Sequence, residues 1–276
     1  MFKLRNWIDE SNLTDYLSSN PRAVKYLEKN PELINWTTLS ENPEAISILE
    51  TNQDKIDWRW LSINPEAIPL IEKNPDKINW QMLSRNQNAI HLLTNPEEIN
   101  WKWLSSNPKA ISLLEKNPDE IVWKNLSSNP AAIHLLKQYP ERINWSNLSI
   151  NPAAISILET NQDKINWGCL SANPSALKLL TDNQDKIDWF VLCWNPAAIH
   201  LIEKNLDKVN WMLLSENPSA IHLLEANQDK INWSTLSSNP AIFEYDYAKM
   251  LQPFTEELMQ NRFHPRNFDK FEEWGF

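Results

Sequence analysis

Glycine occurs only twice in this 276-residue chain, and cysteine only twice. Scarce glycine removes the positive-φ turns and phosphate-cradling loops that depend on it. Cys169 and Cys193 alone make neither a disulfide framework nor a zinc pattern, which fits a reducing compartment. No Lys/Arg cluster stands along the sequence, and 26 basic against 36 acidic side chains leave a formal charge of -10. Nucleic acid is therefore not expected as a partner, because phosphate backbones are bound through basic faces. There is no run of about 18 apolar residues to span a membrane. The charged start, Met1-Phe2-Lys3-Leu4-Arg5, lacks the apolar stretch of a signal peptide. Also missing are H-E-x-x-H, G-x-S-x-G and a cysteine with a nearby histidine. The chain therefore reads as non-catalytic, with no cofactor.

Tryptophan is abundant instead. Ten of its 15 copies, Trp36, Trp58, Trp80, Trp101, Trp123, Trp145, Trp167, Trp189, Trp211 and Trp233, recur every 22 residues apart from one step of 21. The unit reads N-P-x-A-I-x-L-L-E-x-N-x-D-K-I-N-W-x-x-L-S-x, and self-similarity at this period marks a stacked repeat protein. Eleven Asn residues, from Asn20 to Asn239, open the units, and all but Asn86 precede Pro. Asn caps a helix start and Pro fits its first turn. Ala45, Ile46 and Leu49 then share one helix face. A second Asn, such as Asn52, is expected to stop that helix in the left-handed conformation. Asp57, Asn in most units, caps a second short helix through Trp58 and Leu61.

One unit cannot bury its Ile, Leu and Trp alone, so units must stack. The expected fold is all-α: a right-handed α-solenoid of about eleven repeats, two short helices each, with a 3₁₀ turn open for one of them. Nested indoles would form its interior, and ~8–10 Å per helix layer makes it on the order of 100 Å long. The expected divisions are an N-terminal cap over 1–16, the solenoid over 17–242, and a C-terminal cap and tail over 243–276. The first cap is read from Asn6-Trp7-Ile8-Asp9-Glu10, with Thr14 at the first Trp position. In the second, Thr255 with Leu258 and Met259 reads as a last capped helix. The aromatic tail from Asn261 to Phe276 would seal the last core layer or serve as a docking peptide.

Several columns are candidates for chemistry. An acid recurs in every unit (Glu32, Asp54, Asp76 and onward), which suits the positive end of a short helix. A Ser column, with Cys193 once in its place, suits a tight semi-buried site and carries no base at a fixed offset. His91, His134, His200 and His222 share the variable position after A-I, where other units place Ser47, Pro69 or Lys178, so they belong to an exposed face. A metal would need converging ligands that do not accompany them. The two positions after each Trp also vary. Trp60, Trp103, Phe190 and Trp194 are aromatics outside the repeat, either interaction hot spots or fillers between unequal layers. The 21-residue unit replaces its Pro with Gln87 and loses a residue between Leu93 and Asn95, which should alter the superhelical rotation there.

The repeat resembles that of tryptophan-containing repeat proteins encoded in many copies by large nucleocytoplasmic DNA viruses of protists and algae. The opening Trp7-Ile8-Asp9 and the ending Asn261-Arg262-Phe263-His264-Pro265-Arg266 with Trp274-Gly275-Phe276 are similar to that family too. What the resemblance implies is a host-cell cytoplasmic or virion setting, and it transfers no catalytic or binding residues. The expected function is a protein-interaction scaffold acting on a host or viral protein, with a structural part of the virion as the alternative. The four histidines and the four extra aromatics are the candidate partner contacts.

Overall fold

A computed structural model describes residues 2–257 and 259. The chain is an all-helical repeat solenoid, and module 2, counting from the one that opens at Asn20, shows the pattern. A 3₁₀ turn, Pro43–Ala45, runs into an α-helix, Ile46–Thr51. A second 3₁₀ turn, Gln53–Lys55, leads to the second helix, Trp58–Leu61. Asp57 caps that helix, accepting hydrogen bonds from the N–H groups of Arg59 and Trp60.

The opening Asn explains both the helix start and the stacking. The Asn42 side-chain oxygen accepts from the Glu44 N–H at 3.0 Å. Its Nδ2 donates to the carbonyls of Ser18 at 3.0 Å and Asn20 at 3.2 Å, both on the preceding module. The same three bonds recur at every opening Asn; at Asn129, for example, they reach Ala131, Ser105 and Asn107. A primary amide carries an acceptor and two donors on one short arm, whereas an ionised Asp has no donor and Ser only one. The Ser column completes the joint. Ser40 Oγ donates to the Trp36 carbonyl and accepts from the Asp57 N–H of the next module. Cys193 does the same with longer bonds to Trp189 and Asn210, and its burial pushes the thiol pKa up.

The second Asn ends the first helix differently from expectation. Asn52 has φ -132° and ψ 48°, outside the left-handed region. Its Nδ2 instead donates to the Ile48 carbonyl one turn back at 2.9 Å, satisfying an orphan helix-end acceptor.

The interior also differs from the expected stack of indoles. The fully enclosed columns are the Leu three places after Trp (Leu39, Leu61, Leu126), the Ala of N-P-x-A (Ala45, Ala67, Ala110), the last Leu of the first helix (Leu49, Leu114) and the Asn and Ser columns. All ten repeat Trp residues are half-buried. The Lys of the following module lies over the ring at 4.6–4.7 Å for Trp36, Trp58, Trp145, Trp167, Trp189 and Trp211. Indole is thus a lateral seam between modules, and in these six its open face is covered by a cation.

The stack closes on itself instead of running out to about 100 Å. Asn20 Nδ2 donates to the carbonyls of Ser237 at 3.1 Å and Asn239 at 2.9 Å, so the Asn ladder has no end. The eleventh module is split. Asn239 opens it, and the 3₁₀ helix Asp15–Ser19 supplies its second helix, packing on both Trp233–Ser238 and Trp36–Glu41. Thr14 donates its N–H to Ser237 Oγ at 3.1 Å, and Arg22 reaches the Pro240 carbonyl. Tyr26 donates to Glu10 across the same joint at 2.9 Å, and burial, with Glu10 beside it, pushes the phenol pKa up to about 12. Residues 9–16, part of the segment read as a terminal cap, therefore belong to the ring.

This closed unit covers Asp9–Ala241. A second compact unit joins the residues before Asp9 to those from Ile242 onward. In it, β1 (Phe2–Leu4) pairs antiparallel with β2 (Phe243–Tyr245), and Phe2 stacks on Tyr245 at 4.9 Å. The last helix among the described residues is Tyr247–Glu257, which places Thr255 inside it; Asp246 is its cap, accepting from the Lys249 N–H. The calls on the tail from Asn261 to Phe276 lie outside the described residues.

Candidate functional site

The two helices of a module form two layers with different geometry. Second helices of neighbouring modules touch directly, as Trp36–Glu41 does with Trp58–Leu61 and Trp101–Ser106 with Trp123–Leu126. First helices stand further apart and leave grooves between modules. One groove, of about 390 Å³, runs between Leu27 and Glu28 on one side and Ile48 and Thr51 on the other, over Trp36. A similar one of about 430 Å³ lies over Trp123. On the second-helix layer, a cavity of about 440 Å³ is lined by four consecutive modules, by Glu216, Thr235, Asp15 and Thr38 among others. Close second helices and separated first helices bend the stack, so the second-helix layer is concave.

The side chains exposed on that layer follow from helical spacing. The residue after Trp and the residue after Ser are four apart and share a helix face. Phe190 and Trp194 form one such pair in module 8, 51% and 47% exposed, with ring centroids 6.4 Å apart edge to face. Met212 of module 9 is 46% exposed, and Glu216 of the same module accepts from Trp194 Nε1 at 3.3 Å. Trp60 and Trp103 sit on the same layer but are half-buried. Arg59 lies 5.9 Å from the Trp60 ring, while Arg85 and Lys102 lie 4.8 and 5.2 Å from that of Trp103.

The histidines belong to the other layer, near the start of the first helices. His91, His134 and His222 each meet a Glu in the last turn of the previous module's first helix: Glu72 at 3.2 Å, Glu115 at 3.0 Å and Glu203 at 2.7 Å. For His200 the corresponding residue is Thr181, and His200 is half-buried. The structure thus gathers the four aromatics on one layer and sets the histidines apart. No group of three or more metal-ligating side chains is present among the described residues.

Reading the sequence alone missed the basic side chains of the concave layer. Arg59, Arg85, Lys102 and Lys124 are 17 to 26 residues apart, hence not a cluster in the sequence, yet they come from four consecutive modules. Tabulating the two positions that face outward from each second helix would have shown it. Compared with protein-family models, curated proteins and solved structures, the chain matches none.

Proposed function

We propose that the ring is a non-catalytic scaffold that binds a protein partner through its concave second-helix layer. The observation that carries this is the Phe190, Trp194 and Met212 cluster, three large apolar side chains left open on an inward-curving surface. Aromatics in such a position typically anchor interfaces, and Trp194 is already held in place by Glu216, which lowers the entropy cost of binding. The non-catalytic reading rests on what the polar columns are doing. The serines bond backbone within and between modules, and the acids sit in first turns, such as Asp54 and Asp163.

The resemblance of the repeat to that of large DNA virus proteins supports an infected cell or the virion as the setting of the partner. Proteomics of purified particles separates the two: abundance in particles favours a structural component, absence an infected-cell factor. For the interface itself, a photo-crosslinker at Met212 should give one discrete adduct. Phe190→Ala with Trp194→Ala should remove it and weaken the isolated complex by about thirtyfold, the ~2 kcal/mol of a hot-spot aromatic. An adduct unchanged in that variant would reject this surface.

A further inference from the structure

We infer that the concave arc of modules 2 to 5 binds an extended acidic peptide segment. Arg59, Arg85, Lys102 and Lys124 are all exposed there, one from each module. None forms an ion pair among the described residues. The two outward positions of the second helices carry acids only at Glu216, Asp15 and Glu41, in modules 9, 11 and 1. A chain with a formal charge of -10 thus concentrates cations on one arc and places no acid at the two outward positions there.

Arg85 and Lys102 approach the single indole of Trp103 at 4.8 and 5.2 Å, a crowding of like charges that an incoming carboxylate relieves. Module spacing fits the same ligand. Helices ~8–10 Å apart match about one turn of a polyproline II segment, three residues at ~3.1 Å each, which returns every third side chain to the same face. An acidic side chain at every third position would therefore meet successive cations, with an apolar neighbour resting on Ile63. A single-stranded nucleic acid fits less well. Base stacking needs open aromatic faces, and Trp60 and Trp103 have cations over theirs.

The test uses the full chain and fluorescein-labelled peptides built from repeats of Glu-Gly-Leu or of Lys-Gly-Leu, followed by anisotropy. The glutamate peptide should bind with an affinity that falls as salt rises, and the lysine peptide should not bind. Arg85→Glu with Lys102→Glu should weaken binding at least ~tenfold, and Arg85→Gln with Lys102→Gln should weaken it less, each with an unchanged circular dichroism spectrum. Phe190→Ala with Trp194→Ala should leave it intact, so failure here and failure of the aromatic interface are separate results. No binding of the glutamate peptide, binding indifferent to both double variants, or tighter binding of oligothymidylate would overturn the proposal.

Discussion

An asparagine amide does in this ring what no other short side chain can. At Asn151 it caps a helix through the Ala153 N–H and holds the Ser127 and Asn129 carbonyls of the neighbouring module, with no exposure to water. Asn151→Asp keeps the cap and turns both donors into a buried anion facing two carbonyl oxygens. We expect a loss of about 3 kcal/mol at neutral pH, read from urea unfolding. Burial should raise that carboxyl's pKa in the folded state. The charge-dependent part of the penalty should therefore be absent below the unfolded-state value of about 3.9 and grow as pH rises toward the folded-state value, while the single O–H of the protonated acid still leaves one carbonyl unmet. A variant whose stability is flat across that range would contradict the bonding described. The capping half of this role is legible in the sequence, because Asn-Pro before an apolar run is a helix signal. The bridging half depends on which backbone atoms of the next module come opposite. A trace of it is nonetheless present: the first cap is Asn in all eleven units, whereas the second varies among Asn79, Asp57, Asp188 and Val122.

At the scale of the helix, the second cap tolerates variation because its link to the neighbouring module is mainly the backbone N–H, as from Asp57 to Ser40, with side-chain bonds across the joint at Asn35 and Asn166. Val122 keeps the backbone of the other caps, φ -89° and ψ 90°, and its carbonyl still accepts from Asn125 and Leu126, but its side chain offers the helix no cap. Val122→Asn should therefore raise stability by about 1 kcal/mol in urea unfolding without a change in the slope. A destabilised variant would mean that Val122 contributes packing the cap cannot replace. The 21-residue module shows a comparable tolerance. Its first helix shrinks to the 3₁₀ turn Ile90–Leu92, yet Asn107 still bonds Ser84 and Asn86, so the ladder passes through unbroken. The helices were legible from period and caps. The place of tryptophan was not, because hydrophobicity alone sends it inward. The Lys that covers it stands 19 residues later, a relation that appears only once neighbouring modules are laid side by side.

For the whole ring, closure follows from what each end lacks. Among the described residues, Asn239 and Pro240 begin a module whose Trp-type second helix does not follow, and Asp15–Ser19 is a second helix without a first helix of its own. The two halves complete one unit, which leaves no exposed end on the solenoid and no need for a polar terminal repeat. Reading each end by itself yields two caps; only counting them together yields a circle. Closure also fixes the curvature that makes the second-helix layer concave and brings Arg59 to Lys124 onto one arc. The direct test is a pulsed dipolar distance between spin labels at Ser19→Cys and Met212→Cys, with Cys169→Ser as background. A closed ring sets these sites two modules apart, ~20 Å, in one narrow distribution. A population separated by the nine modules of an open stack, ~70–90 Å, would contradict it.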